Sequence, residues 1–112
     1  MPRYKMVVMT EPLAGREDEY NEWYQNVHLR DVVAVPGVRS ARRYRLRMGV
    51  MPDPKPLPYL AIYDIESDDI EGVLKAMLDR AGSARMMISD SMSMASAFGA
   101  VFEELGPRVE AE

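Results

Sequence analysis

The sequence contains no cysteine and only one histidine, His28. Without cysteine, neither a disulfide framework nor a thiolate metal site can form. One histidine falls short of the roughly three to four protein ligands of a typical zinc site, and the carboxylates show no ligand spacing. No glycine-rich phosphate loop is present either. We therefore expect neither a bound metal nor a cofactor.

Excess positive charge and long apolar runs are also missing. The chain has 14 lysines and arginines against 18 acidic residues, which gives a formal net charge of −4. Proteins that bind nucleic acid neutralise phosphates with clustered positive charge, so nucleic acid is not an expected partner. No stretch approaches the roughly 20 apolar residues that cross a bilayer, and the apolar run near the N-terminus is too short for a signal peptide. We expect a soluble, cytoplasmic protein without a membrane partner.

Length and composition predict one domain with a packed core. Hydrophobic residues make up 47% of the 112 positions and charged residues 29%, which is ordinary for a globular protein and too apolar for a disordered one. A second independent core would leave each half too short to fold unaided. Residues 1–112 are therefore expected to form a single domain.

The spacing of apolar residues predicts four strands and two helices. The strands are expected at residues 4–10, 38–47, 59–65 and 97–105, and the helices at residues 16–33 and 68–82. Prolines at every second position from Pro52 to Pro58 predict an extended loop between the second and third strands. Residues 83–96 show no clean period, although a short helical turn after Ser89 or Asp90 is one interpretation.

Local motifs mark the ends of these elements. Pro36 and Gly37 fit the centre of a type II turn that ends the first helix and starts the second strand. Asp68 and Glu71 have the spacing of a capping box at the start of the second helix.

Two of the predicted strands differ in how their faces are covered. In residues 38–47, Tyr44 and Leu46 alternate with arginines, which predicts one covered and one wetter face. The arginines of this region fit a solvated or ion-paired strand better than a partner-binding patch, and they are Arg39, Arg42, Arg43, Arg45 and Arg47. Residues 59–65 carry apolar side chains on both sides, with Asp64 beside Leu60 and Ile62 on one of them, which predicts a strand covered on both faces.

The order strand, helix, strand, strand, helix, strand is the split βαβ pattern of a ferredoxin-like fold. We therefore expect an α+β domain with a four-stranded antiparallel sheet and two helices on one face. The other face would still carry apolar and aromatic side chains, and an exposed apolar face of that size favours association. A second copy of the chain is the simplest cover, so the protein is expected to be a homodimer.

The first predicted helix carries the side chains with the most chemistry. Aromatic and polar residues recur there at spacings of three and four and form one stripe: Tyr20, Trp23, Tyr24, Val27, His28 and Asp31. Histidine exchanges protons near neutral pH because its ordinary pKa is roughly 6.5. Asp31 would orient the imidazole and Tyr24 would donate to a developing oxyanion, so these three are the candidate catalytic residues. The alternative is that His28 is a hydrogen-bonded structural residue at a helix end.

Part of this helix resembles a known family. Residues 19–28, EYNEWYQNVH, followed by Val35-Pro36-Gly37-Val38 and by Arg43-Tyr44, resemble the EthD-like branch of the dimeric α+β barrel superfamily. The resemblance implies two sheets packed face to face across a dimer, with a cavity for a small organic ligand between the sheet and the first helix. It also implies that His28 is the family's helix histidine and that Tyr20, Trp23 and Tyr24 are its aromatic neighbours. Arg30 stands where the family usually has a proline.

Other side chains are candidates for lining the cavity. Tyr44 and Tyr63 lie on predicted strands, from which a hydroxyl can enter a cavity, and with Tyr20 and Trp23 they are the candidate substrate-binding residues. Trp23 equally fits a core filler against the sheet. The methionines of residues 86–94 fit either an adaptable apolar pocket or a loosely specified core.

Three functions follow as hypotheses from this resemblance and these residues. The first is a cofactor-independent enzyme that isomerises, cyclises, decarboxylates or dehydrates a small apolar, aromatic or polyketide-like compound, with His28 as general base or acid. The second is a non-catalytic, stress-associated protein that holds a similar molecule or only dimerises. The third is a haem-dependent monooxygenase, which would require His28 to face a cavity large enough for haem.

Overall fold

The computed structural model describes residues 1–112. The elements along the chain are β1 (Arg3–Thr10), α1 (Glu17–Trp23), a π-helical turn (Tyr24–His28), α2 (Leu29–Val33), β2 (Val38–Arg45), β3 (Tyr59–Glu66), α3 (Ile70–Arg80) and β4 (Phe98–Glu103). α1, the π-helical turn and α2 follow one another without a break, and together they form the first helix. The predicted element order is confirmed.

The four strands form one sheet in the order β2-β3-β1-β4, and every neighbouring pair is antiparallel. β1 lies inside the sheet, where Val8 is paired with Ala61 of β3 on one side and with Gly99 of β4 on the other. The first helix and α3 both pack on one face of this sheet, because their buried residues join the buried residues of β3 in a single core cluster. The ferredoxin-like α+β fold predicted from the sequence is therefore confirmed.

β3 shows most clearly how the two faces of the sheet differ. Tyr59, Ala61, Tyr63 and Ile65 face the helices and are all at most 8% exposed, whereas the residues between them are only half-buried. A strand alternates its side chains between the two faces, so the core lies between the sheet and the helices. We call the other side, which no element of the chain covers, the open face.

β2 departs from the predicted pattern, because its register shifts between Val38 and Ser40. A β-bulge of this kind adds one residue to a strand and exchanges the faces of all residues beyond it. Val38 is buried against the helices, but Tyr44 lies on the open face and is 44% exposed, while Arg43 faces the helices and is half-buried. The prediction that Tyr44 lies on the covered face and Arg43 on the wetter one was therefore wrong.

The cap of α3 lies one residue later than predicted. Asp69, rather than Asp68, is the N-cap residue, and its carboxylate accepts a hydrogen bond from the backbone N–H of Gly72 at 2.9 Å. The missing side chain of Gly72 makes this close approach feasible, since a Cβ there would lie 2.3 Å from an Asp69 carboxylate oxygen. The capping-box prediction for Asp68 and Glu71 is corrected accordingly.

The predicted turn at Pro36-Gly37 is present. Gly37 has φ +99°, and the N–H of Val38 donates to the carbonyl of Val35 at 3.1 Å, as a type II turn requires. The turn also brings the backbone close to α3, because a Cβ on Gly37 would lie 2.9 Å from a methyl carbon of Val73.

Residues 83–97 cross the start of the first helix without forming a helix or a strand of their own. Backbone hydrogen bonds attach this segment to residues 11–13: Leu13 N–H donates to the Ser91 carbonyl, and Ser93 N–H donates to the Glu11 carbonyl. The short helical turn considered after Ser89 or Asp90 is not formed. Along the whole chain, no helix is both long and apolar enough to span a membrane.

Gly37→Ala should destabilise the protein more than Gly15→Ala. Both glycines have positive φ, but only a Cβ on Gly37 would clash with a neighbouring side chain, that of Val73. A Cβ on Gly15 would meet nothing within 4 Å. We expect a loss of about 1 kcal/mol for Gly15→Ala from the positive φ alone, and about 2 kcal/mol or more for Gly37→Ala. Urea unfolding of the two variants measures the difference, and equal losses would contradict the close packing of this turn against α3.

Candidate functional site

The candidate site is built on the π-helical turn, which interrupts the first helix at Tyr24–His28. A π-helical turn has one residue more per hydrogen-bonded ring than an α-helical turn, and such insertions are frequent at functional sites. In an α-helix two residues five apart point about 140° away from each other. Here the wider turn brings Trp23 and His28 together, and their rings stack with centroids 4.7 Å apart and planes at 27°.

Below this turn lies a buried cluster of tyrosines. Tyr20 and Tyr24 of the first helix are almost fully buried and lie against Tyr59 and Tyr63 of β3. The hydroxyl of Tyr63 donates to the hydroxyl of Tyr24 over a long contact of 3.5 Å, and the hydroxyl of Tyr20 is paired with that of Thr10. Burial raises the pKa of Tyr20, Tyr24 and Tyr63, so all three hydroxyls keep their protons near neutral pH.

His28 lies at the edge of this cluster as a half-buried side chain. Its ring meets that of Tyr24 edge-on, with centroids 5.0 Å apart. Its Nδ1 is buried and has no hydrogen-bond partner, whereas Nε2 is not fully buried. Burial lowers the pKa of His28 to about 4, so the imidazole is neutral at pH 7. A buried ring nitrogen without a partner is uncommon in proteins and calls for an explanation.

The predicted contact between His28 and Asp31 is not formed, since no hydrogen bond or ion pair joins the two side chains. Side chains on a helix lean toward its N-terminus, and His28 accordingly packs on Trp23 and Tyr24, which precede it. The expectation that Asp31 orients the imidazole is therefore not supported by the geometry.

The remaining predicted residues are divided between two places. Trp23 and Tyr24 pack on His28, and Tyr20 and Tyr63 contact Tyr24. Trp23 is held by a hydrogen bond from its Nε1 to the carbonyl of Met87 at 3.1 Å. Tyr44 does not belong to this group, because the bulge in β2 turns it to the open face.

Sequence reasoning missed Arg43, a charged residue that packs on the cluster. Its guanidinium carbon lies 5.5 Å from the ring centroid of Tyr20, 4.7 Å from that of Tyr24 and 5.3 Å from that of Tyr59. These are cation–π distances. The alternation of β2 could have identified Arg43 only if the bulge had been recognised, since the bulge decides which face the residue occupies.

The clefts of the molecule lie away from His28, which lines none of the five best-defined ones. A cleft of about 600 Å³ lies between the proline-rich loop and the open face, where Met9 and Phe98 contribute from the sheet. An apolar cleft of about 360 Å³ lies between α3 and the β4 edge of the sheet, on the helix side. Met6 is part of its lining, and Met6 is the cross-strand partner of Tyr63. Nowhere does the chain gather three or more histidine or acidic side chains in an arrangement that would hold a metal ion.

No protein-family model and no curated protein sequence matches the chain. Solved structures match it over nearly its whole length. A candidate monooxygenase from Shewanella loihica PV-4 superposes with a TM-score of 0.61 at 11% identity, covering 96% of this chain and 99% of that one. An EthD family protein from Bacillus halodurans C-125 gives a TM-score of 0.56 at 16% identity, covering 94% of this chain and 100% of that one. The chain has the fold of EthD-like proteins.

A third structure that matches the chain is a variant of MhuD with two manganese protoporphyrin IX molecules bound per active site. It gives a TM-score of 0.58 at 18% identity and covers 98% of this chain and 100% of that one. At identities this low the likeness concerns the fold alone, so activity must be argued from the side chains of this chain.

The stability of the protein should fall as the pH is lowered from about 6.5 to about 4. In this window the unfolded chain protonates His28 while the folded protein keeps it neutral, and protons bound only by the unfolded state favour unfolding. His28→Gln should remove this effect, so the wild-type protein should lose about 2 kcal/mol more than the variant between about pH 7 and about pH 4.5. Urea unfolding at both pH values measures the difference. Equal losses would mean that His28 is not held in its neutral form.

Proposed function

We propose that the protein binds a small, largely apolar organic molecule and acts on it as a cofactor-independent enzyme, with His28 as the general base or acid. The observation that carries the proposal is the buried, unpartnered Nδ1 of His28 next to Tyr24. This nitrogen has no partner in the protein, so only a ligand group that packs against the ring could satisfy it, and Nε2, which is not fully buried, is the ring nitrogen that a ligand reaches directly.

The protonation states of the two side chains fit proton transfer. A neutral imidazole has a lone pair that accepts a proton from a substrate O–H or from a C–H next to a carbonyl, a step that contributes typically about 10² to 10⁴ to the rate. The oxygen of Tyr24 accepts from Tyr63, which leaves the proton of Tyr24 available for a developing oxyanion. Isomerisation, cyclisation, decarboxylation and dehydration all involve such a charge.

The apolar cleft between α3 and β4 is the proposed place for the body of the ligand. Its lining residues are predominantly hydrophobic and include Leu74 and Met77 of α3. Since Met6 is the strand partner of Tyr63, a molecule in this cleft lies next to the strand that carries the Tyr63 and Tyr24 hydroxyl pair. The 83–97 segment, which has no regular secondary structure and contains several methionines, could adapt to a ligand near Trp23.

A second candidate function is binding without turnover. The observation that favours it is the pKa of about 4 for His28, because a base this weak is removed from the optimum for proton transfer near pH 7. The same tyrosine cluster and apolar cleft would then hold a ligand in a non-catalytic, stress-associated protein.

The haem hypothesis does not fit the residues present. Haem bound through His28 would need a wide slot beside the imidazole, but Trp23 and Tyr24 pack against the ring at 4.7 and 5.0 Å. We therefore propose no haem chemistry for this chain, although MhuD shares its fold.

His28→Asn should separate the site from a structural role. Asparagine keeps one polar contact and much of the size but cannot exchange protons near pH 7. We expect the variant to remain folded, by circular dichroism, and to lose turnover of any compound that a thermal-shift screen identifies, by about a hundredfold or more. Tyr24→Phe, which keeps the ring and removes the hydroxyl, should also lower turnover. If His28→Asn melts lower yet binds and converts the ligand like the wild-type protein, His28 is a structural residue and the enzyme proposal fails.

We also propose that the open face is covered by a second copy of the chain. Its centre is apolar and carries Val7, Met9, Leu60, Ile62, Phe98 and Phe102. Phe98 and Phe102 are about half exposed in the isolated chain, at 48% and 56%. Contiguous apolar surface on this scale is typical of association sites. In a twofold-symmetric dimer the same face of each copy packs against the other.

Light scattering at micromolar concentration should therefore give the mass of a dimer. Ile62→Glu places a charge at the centre of the open face and should produce a folded monomer, because an unpaired charge is costly to bury. Leu78→Glu is the matched control, since Leu78 is 77% exposed on α3 and lies away from that face. A monomeric wild-type protein would contradict the proposed dimer.

A further inference from the structure

Two arginines of β2 point toward the first helix at the outer edge of the sheet. Arg43 and Arg45 are two residues apart beyond the bulge, so they lie on the same face of the strand. With Asn21 and Gln25 of the first helix and Tyr59 of β3 they line a polar cleft of about 250 Å³. Tyr44 borders the cleft between the two arginines, but its side chain points to the open face.

Arg43 is fixed in position by its neighbours. Its guanidinium donates to the side-chain oxygen of Asn21 at 2.7 Å and to the backbone carbonyl of Asn21 at 3.5 Å. Three tyrosine rings lie within 5.5 Å of it. An arginine held in this way loses little further conformational freedom when it binds a ligand, which is the condition for selective recognition.

Neither Arg43 nor Arg45 has a carboxylate partner. The ion pairs of the chain engage other basic residues, no carboxylate lines the cleft, and the carboxylate of Glu17 accepts from the hydroxyl of the lining residue Tyr59 at 2.6 Å. A guanidinium offers five N–H groups, and Asn21 accepts hydrogen bonds from two of those of Arg43. The nitrogen that Asn21 leaves without a partner is not fully buried, and Arg43 lines the cleft, so its remaining N–H groups are available to a ligand there. A half-buried arginine with unpaired N–H donors favours an anion as its partner.

We propose that this cleft binds the carboxylate of a small aromatic acid. The planar guanidinium of Arg43 matches a carboxylate through two parallel N–H donors, Arg45 adds a second positive charge, and Tyr59 in the lining contacts the flat body of the ligand. The proposal does not depend on His28 or on the apolar cleft beside α3.

Benzoate is the probe for this site, with benzamide as its neutral counterpart. We expect benzoate to bind with a Kd on the order of 1 mM, as for other ligands of its size, and benzamide to bind at least about tenfold more weakly. In a titration followed by NMR, the side-chain amide signals of Asn21 and Gln25 should shift with benzoate. Titrations at one fixed ionic strength keep screening of the charges constant.

Arg43→Met should raise the benzoate Kd by at least about tenfold, whereas Arg47→Met should leave it within about twofold, because Arg47 lies outside the cleft. Arg43 also packs on three rings, so Arg45→Met provides a second variant on an exposed side chain and should raise the Kd by about threefold. Unchanged binding in both cleft variants would overturn the proposal. Equal affinity for benzamide, tighter binding of inorganic phosphate, or shifts confined to residues outside the cleft would overturn it as well.

Discussion

The buried ring of Tyr24 connects the candidate site to the sheet. Its ring contacts and its one hydroxyl contact reach five side chains, which are Tyr20, Trp23, His28, Arg43 and Tyr63. Tyr24 is 2% exposed, and its hydroxyl lies over β3. Aromatic side chains bury large areas and have few rotatable bonds. The packing of Tyr24 therefore fixes both the position of the first helix on the sheet and the position of the imidazole. A shift of the helix along the sheet would separate the histidine from the hydroxyl pair.

Much of the fold could be predicted because its signals are local. The apolar run that forms β3, the prolines after β2 and the positive φ required at Gly37 are properties of short stretches of sequence, and each was recognised, although β3 was expected to be covered on both faces and one chain covers only the face toward the helices. Which side chains of β2 face the helices was not predicted. The bulge between Val38 and Ser40 does not alter the alternation of Tyr44 with its neighbouring arginines, so this pattern could not reveal it. One inserted residue exchanged the two faces, and it brought Arg43 into the tyrosine cluster.

The candidate site was predicted only in part, for a related reason. Helical spacing brought Tyr20, Trp23, Tyr24 and His28 together correctly, but it assumed a regular α-helix. The π-helical turn and the lean of helical side chains toward the N-terminus place His28 on Trp23 rather than beside Asp31. Partners from distant parts of the chain depend on packing between elements, so no periodicity in the sequence could reveal them.

Tyr24 contacts both a permanent cation, Arg43, and a base that is neutral at pH 7, His28. The charge of Arg43 favours the ionised form of Tyr24, while burial opposes it more strongly, so the hydroxyl keeps its proton at neutral pH. A phenol next to a cation nevertheless becomes a stronger donor, because the positive charge stabilises negative charge that develops on its oxygen. His28 contributes no charge of its own at pH 7. Any anion formed near Tyr24 would therefore depend on Arg43 for its counter-charge, which makes the bulge that turns Arg43 inward a requirement of the proposed chemistry.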